Sequence, residues 1–255
     1  MRSLRATEVT QDRSSGAEQS AVAHVSSGHE EPSGSLPSWV APGLATVGGT
    51  LLAGGLLTLM QRRRATQHRY RRPGFVLSDP PTATVYAEKS INAAGTTGKP
   101  FVDQIDQVLR RLAHSVIGHG LDLPELAAVE VTESVIAIHV QKTCNLPAPW
   151  IDHGDGLVWT IDRDTDLETA GPDPQGAPAP WPLLVTLGHD AHQSPWLLNL
   201  EGRTIAITGD QGKAEDLVRF IAAEILCNPW SKHTNLDVIG ACSELVTIDP
   251  ERAKA

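Results

Sequence analysis

The sequence predicts an α/β chain in which a single transmembrane helix precedes a cytoplasmic α/β body with a degenerate, incomplete P-loop-like sheet. Three observations predict it. Residues 39–60 read WVAPGLATVGGTLLAGGLLTLM without one charge, and about 20 apolar helical residues cross a hydrocarbon core of about 30 Å. Arg62, Arg63, Arg64, Arg69, Arg71 and Arg72 follow, whereas 16–38 hold no Lys or Arg. Basic residues beside a span stay on the cytoplasmic side, so the amino terminus is expected outside and everything after Gln61 inside, at the cell membrane. Further on, TIAITGDQGKAEDLVRFIAAEIL has the order strand, glycine turn, helix.

Residues 1–38 carry three Arg against five acids among Ser, Gly and Ala, too few large apolar groups to offset the entropy of ordering. A disordered extracytoplasmic tail is expected there. A cleaved signal peptide fits poorly, because its apolar core runs about 7–15 residues and its positive charge precedes that core. Within the expected span, Ala41, Ala45, Gly49 and Ala53 recur every four residues on one helix face, where small side chains permit close helix packing and self-association. The arginines at 62–72 suit anionic lipid headgroups, at about 1 kcal/mol per basic side chain near the surface.

Residues 61–100 read as a basic juxtamembrane segment and linker, punctuated by Pro73, Pro80, Pro81, Gly95, Gly98 and Pro100. A first α/β subdomain is expected over 101–162. Phe101, Ile105, Val108, Leu109, Leu112, Val116 and Ile117 follow helical spacing, and AAVEVT and VIAIHV form a hairpin, with LVWTID as a third strand. The acidic, proline-rich stretch 163–182 is the expected boundary. In 183–255, strands are expected at 183–188, 196–200, 204–208 and 236–241, and a helix at 212–226.

From Pro73 onward 12 Lys and Arg face 25 Asp and Glu. So acidic a body is a poor partner for nucleic acid, whose binders gather positive charge. Cys144, Cys227 and Cys242 show no CxxC or His-paired metal spacing and read as small core residues.

Gly209, Gly212 and Lys213 are the candidate nucleotide-binding residues, since backbone amides and a Lys cradle phosphate in such a turn. Here the glycines lie three apart rather than five, Ala214 stands where a Ser or Thr would hold magnesium, and Asp210, Glu215 and Asp216 crowd the helix start. Acids at that position suit the helix dipole without a ligand, so a structural turn is favoured. His189 and His192 lack a third metal ligand, and His139 reads as a sheet-face residue. No catalytic residue, metal or cofactor is expected.

The segments QRRRATQHRYRRPG, QIDQVLRRLA, LPELAAVEV, NLPAPW, WPLLVTLGHD, WLLNLEGRTIAITGD and ELVTIDPER resemble a family of actinobacterial membrane proteins that join a peptidoglycan-binding LysM module, membrane spans and a bacterial transcriptional activator domain. The TGD segment is also similar to the nucleotide-binding core of DNA-translocase and type VII secretion ATPases, without its Ser or Thr. The chain departs from the family pattern in having no LysM module before the span and in stopping at Ala255. The resemblance therefore implies neither wall binding nor transcriptional output here.

The expected function is a membrane-anchored scaffold or interaction protein without catalysis, with a protein partner or self-association. The alternative is a nucleotide-binding module of an ATPase-like assembly, completed by a partner. Too few strands follow residue 182 for a covered sheet, so 183–255 should need 101–162, a second copy or another protein.

Overall fold

The computed structural model describes residues 47–70, 82–174 and 176–255. The expected tail over 1–38 lies outside them, as do residues 39–46 of the expected span. Helix α1, Val47–Tyr70, holds the remaining apolar stretch and continues straight through the first arginines. Among the described residues no helix is long and apolar enough to cross a membrane. This overturns the expected single-pass transmembrane helix, the outside-to-inside topology that followed from it, and the cell-membrane location.

The apolar side chains of α1 are used inside the protein. Leu51, Ala53 and Leu57 are buried, and its partner is α2, Thr82–Gly118. The two helices meet through glycine. A Cβ on Gly54 would come 2.6 Å from the Gly98 carbonyl carbon, and one on Gly95 would come 2.7 Å from the Ala53 oxygen. Without side chains at these crossings the backbones approach closely. Gly95, Gly98 and Pro100, which read as linker punctuation, therefore lie within one 37-residue helix. Val102, Ile105, Val108, Leu109, Leu112 and Val116 of α2 then face the core, whereas Ile117 is exposed.

Strands β1 (Leu126–Val131), β2 (Val135–Val140), β3 (Ile151–Asp152), β4 (Val158–Asp162), β5 (Leu184–His189) and β6 (Pro195–Asn199) form one sheet in the order β3-β4-β2-β1-β6-β5. Every pairing in it is antiparallel, not the parallel arrangement of a P-loop sheet. Strands from both sides of 163–182 share this sheet, because β6 pairs with β1. Alternation puts Val129, Val131, Ile136, Ile138, Trp159, Ile161, Leu184 and Leu197 in the core with the α2 face.

The 163–182 stretch, with the short helix α3 (Leu167–Ala170), is bound to α2. The Arg110 guanidinium donates to the Ala177 carbonyl, and Arg111 donates to Gly171 O at 2.6 Å. Gly171 has φ +146°, and a Cβ there would lie 2.5 Å from Arg111 O, so glycine is required. Arg163 stacks over Phe101 at 4.3 Å and donates to Thr132 O at 3.0 Å, joining the β1–β2 turn to the helix.

Helix α4, Gln211–Cys227, is followed by a 3-10 turn, Pro229–Ser231, and by the small parallel pair β7 (Leu236–Asp237) and β8 (Ala253–Lys254). Arg252 donates to the Ile225 and Leu226 carbonyls at 2.9 and 3.1 Å. A cation there satisfies the orphan carbonyls of the helix end. The expected strand over 236–241 is thus cut to two residues, and the expected strand over 204–208 is irregular chain outside either sheet.

Candidate docking groove

The open backbone of edge strand β5 is met by side chains. Alternate residues 182, 184 and 186 turn away from β6, and each meets a side chain. Ser231 Oγ donates to Pro182 O at 2.6 Å, Trp230 Nε1 donates to Leu184 O at 2.7 Å, and Thr186 N donates to Glu224 Oε2 at 2.6 Å. Side chains of the α4 region therefore occupy the edge where another strand would add.

Glu224 is wholly buried, and its other oxygen accepts from Thr186 Oγ1 at 2.6 Å. Burial raises its carboxyl pKa from 4.5 to about 7, against the opposing pull of the Thr186 donors. Neighbouring Asn228 is also buried; its backbone N–H donates to Glu224 O at 2.8 Å, and its side-chain amide finds no hydrogen-bond partner among the described residues, although it lies near enough to favour the charged form of Glu224 slightly. Burial also pushes the Cys227 thiol up to about 12. All three cysteines are free, with Cys227 and Cys242 buried. The sequence did carry a signal for Glu224, a single acid set among Ala222, Ala223, Ile225 and Leu226, which is absent from the candidate residues above.

Residues 204–208, TIAIT, are treated differently. They belong to no helix or strand and run between Gly202 (φ +67°) and Gly209 (φ +121°). At one end the Arg203 amide donates to Leu200 O, and Asn199 Oδ1 accepts from Glu201 N. At the other, Asp210 caps α4. Between these anchors no backbone hydrogen bond joins 204–208 to any described residue. Ile205 and Ile207, two apart, face an apolar groove of about 270 Å³ whose far wall is Val218, Ile221, Ala222 and Ile225 of α4, with Arg203 also lining it. Ile205 is 40% exposed and Val218 39%. Helix α4 is buried only from Ala222 onward.

The phosphate-loop candidates follow the 204–208 segment and do not line the groove. The Asp210 carboxylate accepts from Lys213 N at 3.0 Å, the N-cap bond of α4. A carboxylate thus takes an amide that a bound phosphate would use. Gly209 and Gly212 are exposed, as is Lys213, and no sheet strand leads into the turn. Of the basic cluster, Arg62, Arg63, Arg64 and Arg69 lie on the exposed end of α1; Arg64 meets Glu88 at 2.5 Å and Arg63 lies 3.8 Å from Asp249. Arg71 and Arg72 lie outside the described residues. Gly49 and Ala53 of the small-residue face are buried, Ala53 against Gly95 of α2, and Ala41 and Ala45 lie outside the described residues.

The histidines are dispersed. Asp190 accepts from the His192 and Ser194 amides and so shapes the β5–β6 loop rather than a metal site. His139 lies on the sheet with its ring 4.8 Å from Trp196 and its Nε2 3.6 Å from Glu130. Among the described residues no three His, Cys, Asp or Glu converge on a metal position.

No protein-family model, curated protein or solved structure matches this chain. Geometry alone therefore carries the functional reading.

Proposed function

We propose that this chain is a non-catalytic interaction module that docks an extended protein segment along 204–208 and the adjoining α4 groove. The observation that carries this reading is the empty hydrogen-bonding capacity of the TIAIT backbone, set beside half-covered apolar residues. An unpaired stretch of β-branched residues is a template for strand addition: backbone bonds supply affinity, and alternate side chains filling a groove supply selectivity. The edge of β5, by contrast, is filled by Ser231, Trp230 and Glu224.

The nucleotide-binding reading has weaker support, since Asp210 holds the amide of Lys213 and Ala214 offers no hydroxyl. Placing a photo-crosslinking side chain at Ile207 of the full chain in cells tests the docking proposal. Adducts to an extended segment of a protein are expected, and Ile205→Asp should abolish them. Absence of protein adducts would overturn it.

A further inference from the structure

We infer that the segment docked at 204–208 is the same segment of a second copy, paired antiparallel about Ala206. This rests on the docking reading above and names its partner.

The residue order is the first support. TIAIT reads the same in both directions. In an antiparallel pair centred on Ala206, Ile205 faces Ile207 of the other copy and Thr204 faces Thr208. These are cross-strand combinations that stabilise a ladder. The four isoleucines fall on one side of the two-stranded ribbon, so each α4 groove gains apolar cover. Identical patches meeting about a two-fold axis close the assembly at two copies.

Charge supplies the second support and fixes the direction. Arg203 precedes the segment and lines the groove, and its guanidinium forms no ion pair or hydrogen bond with a described residue. Asp210 follows the segment, and its carboxylate spends one hydrogen bond on the helix cap. Antiparallel pairing sets Arg203 opposite Gly209 of the other copy. With no side chain there, the guanidinium has room to reach the adjoining Asp210. The same exchange recurs at the other end, while Glu201 faces neutral Gln211. Parallel pairing in register would instead bring Arg203 to Arg203 and Asp210 to Asp210.

The test is cysteine cross-linking of the full chain with Cys144 replaced by Ser, because Cys144 is the native cysteine that is not fully buried. Residues directly opposite in an antiparallel ladder have Cα atoms about 4.5–5.5 Å apart, within disulfide reach. Ala206→Cys should give a covalent dimer under mild oxidation. Thr204→Cys alone should not, and a mixture of Thr204→Cys with Thr208→Cys chains should give the mixed dimer. Asp210→Asn keeps a good helix cap while removing the charge, so it should weaken the dimer about fivefold in sedimentation without lowering the melting temperature much. Ala206→Cys cross-linking no better than Thr204→Cys would overturn the inference. Photo-crosslinking at Ile207 separates the two failures: adducts to a different protein leave docking standing without self-pairing, and no adducts remove both.

Discussion

The carboxylate of Glu224 receives both the backbone N–H and the hydroxyl of Thr186, each at 2.6 Å, in a site with no solvent exposure. One side chain thereby fixes α4 to the outer edge of the sheet. Its pKa of about 7 stands above the ordinary 4.5 because burial penalises the charge more than the Thr186 donors favour it. The folded state thus holds this proton more tightly than the unfolded state does. The resulting stabilisation is complete below about pH 4.5 and is lost as pH rises through about 7. At about 1.36 kcal/mol per unit, the whole effect is on the order of 3 kcal/mol. Glu224→Gln keeps an acceptor for Thr186 N and a donor for Thr186 Oγ1. Denaturant unfolding between pH 5 and 8 should show wild-type stability falling relative to the variant, with the variant more stable at pH 8. Parallel pH profiles would contradict this origin. Asp106, also raised by burial, contributes to both proteins and cancels in the comparison.

Gly98 reverses the usual rule for helix glycines. Replacing a helical Gly by Ala ordinarily stabilises by up to about 1 kcal/mol. A Cβ on Gly98 would instead fall inside the van der Waals shell of the Thr50 carbonyl oxygen, where neither backbone can yield cheaply. Gly98→Ala should destabilise by about 1–3 kcal/mol or more, as overpacking does. Gly118→Ala, with nothing within 4 Å of the added carbon, should be neutral or slightly stabilising. Thermal melts of both variants check the α1–α2 crossing, and equal effects would argue against it.

That crossing also explains what could be read in the sequence and what could not. The hairpin of β1 and β2 was visible because alternation and β-branching are local, and Val129 indeed sits opposite Ile138. The apolar run before Arg62 was equally visible, but hydropathy does not distinguish lipid from the flank of another helix. Gly54, Gly95 and Gly98 supply that flank by close approach, a relation between positions some forty residues apart. Pro100 reads as a breaker from sequence alone, yet burial of Val102, Ile105 and Leu112 carries the helix through it. The TIAIT segment has strand composition, and the fold gives it no strand to pair with. Glu224 and Thr186, 38 positions apart, could not be paired from spacing.

Trp230 guards the β5 edge as a donor rather than only as bulk. Its indole N–H meets Leu184 O at 2.7 Å, and both residues are buried. Trp230→Phe retains an aromatic ring but leaves that carbonyl without a partner, which costs about 1–3 kcal/mol. For a chain of this size each kcal/mol moves the melting temperature by about 2–4 °C. A drop of roughly 5 °C is expected, accompanied by a greater tendency to associate through the opened edge. An unchanged melting temperature would show that the carbonyl finds another donor.

At the start of α4, cap and ligand compete for one set of amides. A phosphate bound there would need the Lys213 N–H that Asp210 already accepts at 3.0 Å, and would bring its charge against Asp210, Glu215 and Asp216. Magnesium nucleotide at millimolar concentration should therefore leave the melting temperature of the full chain unchanged, because a ligand that prefers the folded state must raise it. Lys213→Ala should be close to neutral, since it removes an exposed side chain while its amide keeps the cap bond. Asp210→Ala should cost about 1 kcal/mol as an N-cap loss, and Asp210→Asn should recover most of that. Nucleotide-dependent stabilisation abolished by Lys213→Ala would restore the phosphate-binding reading, and the Asp210 carboxylate would then have to swing away from the amides it now caps.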